Sequence, residues 1–218
     1  MRIAATIISY LLHPSLIVSY ALLLFLLANP YIFGVDRFYL QSPFFISVAF
    51  MTFMLPAINV FIMKKIGLVS SISLENAKQR VGPYIAVIVF YLWLYLTIRT
   101  NYEIPALFKC LVLGSTITAG TLFFVNNFSK VSSHMAGMSG LVIFSILLIQ
   151  PQYGGETHLG FIGAWFETHP ALLPAVLVFA TSLVALSRLE LKMHTRQEII
   201  GGLLIGILSQ IIALIIYY

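Results

Sequence analysis

The sequence predicts an all-α protein, a polytopic membrane bundle of six to seven transmembrane helices in a single domain over residues 1–218. Composition is the first observation behind that reading: 60% of the residues are hydrophobic and only 9% charged, with a mean hydropathy of +1.00. One soluble core cannot bury that much apolar surface. The second is that the apolar residues come in long unbroken runs, several near the roughly 20 residues a helix needs to span a bilayer. Barrel strands would instead alternate polar and apolar residues over segments of about ten.

In order, the runs are Ser15 to Phe33, Pro43 to Met63, Tyr84 to Ile98, Pro105 to Val125, Ala136 to Ile149, Ala171 to Leu186 and Ile199 to Tyr218. The first is too long for a signal-peptide core, and no small-x-small cleavage pattern follows before Asn29-Pro30, so it is expected to stay in the membrane. Ala119-Gly120, Ala136-x3-Gly140 and Gly202-x3-Gly206 provide the small residues that let helices approach closely. Cys110 stands alone in an apolar run, which excludes a disulfide framework and a cysteine-based metal site.

A net charge of +5 could suggest nucleic acid, but the Lys and Arg residues lie in short loops between spans, a bias usual in membrane proteins. No nucleic-acid partner is expected, and the bilayer is the partner that composition implies. Five of the nineteen formal charges fall between Arg188 and Glu198, directly before the last apolar run. Spans separate the loops at Lys64 to Pro83, Asn126 to Ser133 and Ser187 to Glu198 in pairs, so the three share one membrane face. That face gathers Lys78, Arg80, Lys130, Ser132, Ser133, His134, Arg188, His194 and Glu198, and the opposite loops are expected to hold Arg37, Arg99 and Lys109.

Cations, hydroxyls and two histidines on one face describe an anion site. Ser132-Ser133-His134 opens a helix, where unpaired amides and the positive end of the helix dipole favour phosphate. Arg offers paired donors and Lys a mobile point charge. Two histidines beside a bound phosphate can divide nucleophilic and acid work. Thr195-x-x-Glu198 reads as a capping box, and Glu198, four residues after His194, shares its helix face. His13, His158 and His169 lack patterned neighbours and are expected to be capped or solvated, while Lys64, Lys65, Lys192 and Arg196 are expected to anchor span ends.

These residues resemble the signatures of the type-2 phosphatidic acid phosphatase family. Ser187-Arg188-x5-His194-x3-Glu198 is similar to the family's third motif, Ser-Arg-x5-His-x3-Asp, with Glu replacing Asp. Ser132-Ser133-His134 resembles Pro-Ser-Gly-His without its proline and glycine, and Lys78-Gln79-Arg80 through Pro83 resembles Lys-x6-Arg-Pro in a compressed form. The motifs lie within about residues 76–198 and in the family's order.

The resemblance implies a metal-independent hydrolase without cofactor, acting on a membrane lipid phosphate or pyrophosphate through a phosphohistidine. His194 would be the nucleophile, Glu198 its orienting carboxylate and His134 the proton donor. Arg188, Arg80, Ser132 and Ser133 would hold the phosphoryl oxygens, with Lys78 or Lys130 in the place of the family lysine. The substrate classes are isoprenyl pyrophosphate, phosphatidate, phosphatidylglycerophosphate and lipid A phosphate. Alternatives on the same residues are a phosphotransferase, an inactive relative and an anion transporter. The motif face carries nine Lys and Arg against three opposite, which by the positive-inside rule faces the cytoplasm. Resemblance to bacterial members instead implies an inner-membrane protein whose site faces the periplasm or exterior.

Overall fold

The computed structural model describes residues 2–70, 77–150, 158–161, 164–167 and 169–218. Among them run helices α1 (Arg2–Leu11), α2 (Ile17–Ala28), α3 (Ser42–Ala49), α4 (Leu55–Lys65), α5 (Val81–Ile98), α6 (Ala106–Val125), α7 (Ser133–Leu148), α8 (Leu172–Glu190) and α9 (Arg196–Tyr217). Six helical stretches, Arg2–Ala28, Pro30–Lys65, α5, α6, α8 and α9, are long and apolar enough to cross a membrane, and α7 is a shorter apolar helix of 16 residues. The six-to-seven-helix membrane bundle is thus the architecture. One element escaped the sequence: an antiparallel hairpin of β1 (His158–Phe161) and β2 (Ala164–Glu167), with His158 opposite Glu167.

The first helical stretch begins at Arg2 and not at the expected Ser15. Pro14 explains the misreading, because it has no N–H and disfavours helical geometry in the residue before it. His13 accordingly sits at φ −68°, ψ 137°, a single 3-10 turn covers Pro14–Leu16, and the helix resumes as α2. Ala5 and Ser9, four residues apart, form the buried face of α1, and Ile3, Ile7, Tyr10 and Leu11 are exposed. The second stretch carries a π-helical turn at Phe50–Met54 before Pro56. There the buried Thr52 hydroxyl donates to the Val48 carbonyl (2.9 Å) and meets the Ser19 hydroxyl of α2 at 3.2 Å, tying the two stretches together.

Lys109 also corrects the sequence reading. Pro105 opens α6, so Lys109 lies in that helix's first turns and is buried, instead of standing in a loop.

Packing inverts the soluble pattern. Trp93, Phe179 and Ile215 are more than half exposed on the outer surface, as a lipid-facing belt requires, while Phe25, Phe108 and Phe144 fill the interior. Phe25 and Phe144 meet edge to face at 5.7 Å. At about 1.5 Å per residue α7 is only about 24 Å long, and it packs against α9, α8, α6 and α2 at the centre of the bundle.

Glycine brings α9 onto α7. A methyl group at Gly202 would overlap the Ser132 carbonyl, and one at Gly206 would overlap the Ala136 carbonyl and the Ser139 hydroxyl. Across α9, Gly114 leaves room for the buried Gln210 amide, which donates to the Leu111 carbonyl at 3.4 Å. Gly120, read from sequence as a packing glycine, faces open space.

These contacts give the first prediction. Gly206→Ala forces helix backbones apart and is expected to cost about 1–3 kcal/mol, the usual toll of overpacking a tight contact. Gly120→Ala is expected to leave stability unchanged. Thermal unfolding of both variants in detergent checks this, and equal melting temperatures would refute the packing role.

Candidate active site

The site begins with a short turn. Between α8 and α9 the chain has five residues, Leu191–Thr195, and reverses direction through a helix-capping motif. The Met193 amide donates to the Arg188 carbonyl (3.1 Å) and the Lys192 amide to the Leu189 carbonyl (2.9 Å), which places Lys192 at φ 54°. Glycine normally takes that left-handed position, and a lysine there costs about 1–2 kcal/mol. The turn delivers His194 to the mouth of α9 with its side chain buried.

Capping and orientation then share one carboxylate. Thr195 caps α9 by accepting from the Glu198 amide (3.3 Å), and Glu198 Oε2 accepts from the Thr195 amide (3.0 Å). The same Oε2 lies 3.0 Å from His194 Nδ1. With Nδ1 as donor to that oxygen, the lone pair of His194 rests on Nε2.

Two opposing effects act on His194. Burial dominates and pushes the imidazole down to about 4, Arg188 and Lys130 push in the same direction, and the hydrogen bond and charge of Glu198 oppose them. The ring is therefore neutral near pH 7.

The start of α7 faces this dyad. Ser132 is fully buried as the N-cap, its hydroxyl accepting from the Met135 amide (3.5 Å) and its amide donating to the Glu198 carbonyl (3.1 Å). That backbone bond joins the second and third motifs directly. Ser132 is spent on the cap, and the Ser133 and His134 amides remain as the donors at the positive end of α7. The Ser133 hydroxyl turns toward the Tyr84 phenol of α5.

Arg188, in the last turn of α8, is 9% exposed, and its Nε is buried with no hydrogen-bond partner among the described residues. It lies within electrostatic reach of Arg80, His134 and His194. Lys130 and Lys192 line a depression of about 350 Å³ with His194, Thr195 and Glu198. A groove of about 560 Å³ also reaches Thr195 and Glu198, lined by Val125, Val131, Leu204 and Ile205 together with Ser129 and Gln197.

Of the nine residues expected on this face, eight are brought together around the dyad. Lys78 lies in the backbone of a 3-10 turn at Ala77–Arg80, but its side chain is outside the described residues. Of the three histidines set aside, His169 is a local cap, accepting the Ala171 amide, and the side chain of His158 is outside the described residues. His13 is likewise a local cap, its Nδ1 accepting the Ser15 amide at 3.4 Å, but it also stands at the site. Its ring meets His134 edge to face at 5.4 Å, and the neighbouring turn of α1 places the Ser9 carbonyl 3.0 Å from His134 Nε2 and the Ser9 hydroxyl 3.5 Å from an Arg188 amine. A signal for this was present: Ser9 and His13, four apart, place polar groups on one side of an otherwise apolar stretch.

Among the described residues no group of three His, Cys, Asp or Glu side chains is placed to hold a metal ion. No family model matches the chain, and no curated protein or solved structure matches it.

The balance around His194 predicts its titration. Folded His194 resists protonation until about pH 4, whereas the unfolded ring takes up its proton near 6.5. Stability is therefore lost as pH falls from 6.5 towards 4. The ¹⁵N shifts of the labelled ring, assigned with His194→Ala, are expected to titrate near 4, and Glu198→Gln to move that midpoint lower. A midpoint at or above 6.5 would mean that the carboxylate outweighs burial.

Proposed function

We propose that the protein is an integral-membrane lipid phosphatase of the type-2 phosphatidic acid phosphatase kind, cleaving a phosphomonoester or pyrophosphate through a phosphohistidine. The carrying observation is the buried Arg188 with an unmet Nε–H, set against a neutral His194 whose Nδ1 is held by Glu198. A buried guanidinium with no carboxylate partner among the described residues is costly unless an anion completes it, and phosphate oxygens match its donors. The nucleophile stands in the same place.

His194 Nε2 attacks phosphorus as the bond to the leaving alcohol or phosphate breaks, and His134, which takes a proton on Nδ1 from the monoanionic phosphate as it binds, passes that proton to the departing oxygen. Water, deprotonated by His134, then attacks the phosphohistidine, releasing inorganic phosphate and restoring His194. Arg188, Arg80, Lys130 and the first amides of α7 hold the charge that develops on the phosphoryl oxygens. Glu198 stabilises the positive charge on the ring as the N–P bond forms.

Membrane placement favours a lipid over a soluble ester. The groove that reaches Glu198 has Val125, Val131, Leu204 and Ile205 on its walls beside the polar Ser129, Thr195 and Gln197, a mostly apolar lining suited to the first carbons of an acyl or isoprenyl chain.

Three measurements test the reading. Phosphate release from isoprenyl pyrophosphate, phosphatidate, phosphatidylglycerophosphate and lipid A phosphate is expected with at least one of them. His194→Ala is expected to lower that rate by about three orders of magnitude or more while inserting normally. Orthovanadate is expected to inhibit because it resembles the pentacoordinate transition state, and chelators are not. Loss of activity in EDTA, restored by a divalent ion, or near-normal turnover by His194→Ala would overturn the mechanism.

On the resemblance to bacterial family members, the site is placed on the outer face of an inner membrane. Lys192 is exposed at the turn. In a Cys110→Ser background, Lys192→Cys is expected to react with an impermeant maleimide in spheroplasts before lysis. Labelling only after lysis would put the site in the cytoplasm.

A further inference from the structure

We propose that the end of α1 is a working part of the phosphoryl site, with Ser9 as a positioning residue for both His134 and Arg188. This rests on the phosphatase reading above and goes beyond the residues that the motifs mark.

The local chain of causes starts at Pro14. Pro14 has no N–H to carry the helix on and holds His13 at ψ 137°; α1 ends at Leu11, and no His13 amide returns to the Ser9 carbonyl. That carbonyl is one of the acceptors a helix leaves open at its C-terminal end. His134 Nε2 fills it at 3.0 Å, across 125 residues of sequence. Because a carbonyl only accepts, the bond fixes the proton of neutral His134 on Nε2 and leaves Nδ1 as the atom that gains and gives up a proton during turnover. The Ser9 hydroxyl meets an Arg188 amine at 3.5 Å, the one side-chain oxygen bonded to this guanidinium among the described residues. Both oxygens of a single residue thus aim the acid and the main phosphate-binding group.

His13 completes the wall. Its Nδ1 accepts the Ser15 amide (3.4 Å) and pairs with the Ser15 hydroxyl (2.7 Å), which locks its ring edge to face with His134. Ser9 is buried against the bundle, and α1 packs on α8, the helix that carries Arg188.

The two contacts separate experimentally. Pro14→Ala lets His13 enter the helix, and its amide then competes for the Ser9 carbonyl. With the acid released, kcat on a lipid phosphate is expected to fall about tenfold or more, and kcat on p-nitrophenyl phosphate, whose leaving group needs little protonation, to fall less than about threefold. KM is expected to hold for both. Ser9→Ala removes the hydroxyl from Arg188 and is expected to raise KM and the orthovanadate inhibition constant about fivefold, the value of one hydrogen bond, with Ser9→Thr restoring both. A merely structural α1 would lower both substrates' kcat alike and would show no rescue by threonine. In the wild type, ¹⁵N shifts of the labelled His134 ring are expected to report an Nε2–H tautomer, and an Nδ1–H tautomer would overturn the assignment even if Pro14→Ala fails to fold. A wild-type protein that releases phosphate while Ser9→Ala and Pro14→Ala behave normally would remove this proposal alone. A wild type that neither releases phosphate nor binds orthovanadate would remove the phosphatase reading with it.

Discussion

The contact on which the rest of the molecule depends is the close approach of α9 to α7. Gly202 and Gly206 bring the α9 backbone against the carbonyls of Ser132 and Ala136, a distance no larger side chain allows. At that separation the Ser132 amide can donate to the Glu198 carbonyl. Two segments separated by more than sixty residues are then fixed as one surface. Packing in a bilayer gains little from excluding water, so small residues that admit direct backbone contact do the work that apolar burial does in soluble cores.

Positive charge is the consequence that this packing must tolerate. Arg188 is buried beside two neutral histidines, with Arg80 and Lys130 within reach, and Glu198 is engaged with Thr195 and His194. Burying the Arg188 guanidinium destabilises the fold on its own, since taking its charge out of water is costly. Lys192 adds a further cost by taking a left-handed conformation in the turn that aims His194. Backbone strain at Lys192 and a buried Arg188 Nε without a hydrogen-bond partner among the described residues are the pattern expected where binding a ligand supplies what the fold lacks.

Much of this was legible in the sequence. Apolar runs gave the spans because hydrocarbon thickness sets a minimum length, and span parity alone placed Arg80, Lys130, His134, Arg188 and His194 on one face. The capping box was readable because Thr195 and Glu198 act within one helical turn. Long-range contacts were less so: Ser9 and His134 are 125 positions apart, and only the spacing of Ser9 and His13 hinted at a shared face. Lys109 was misplaced because a charge near a span end looks like a loop, although Pro105 starts the helix before it. Gly120 resembled the other small residues in sequence, yet which side of α6 meets a neighbour is decided by the whole bundle. The paired strands at 158–161 and 164–167 follow a run of turn-forming residues in the sequence and carry no long alternating pattern by which a strand is recognised.

Glutamate at position 198 shows how closely folding and chemistry are joined here. A capping box uses Glu or Gln at the third helical residue because that side chain is long enough to fold back to the N-cap amide. Glu198 does so, and its Oε2 also reaches His194 Nδ1 at the same 3.0 Å. The extra methylene relative to aspartate therefore does not push the histidine away; it lets one oxygen serve the helix end and the ring together. Ser133, which stands where the motif has glycine, turns its side chain toward Tyr84 and leaves the amide end of α7 open. Glu198 and Ser133 each have a local partner, and the orientation of the candidate nucleophile is set by the same hydrogen bonds that begin the last helix.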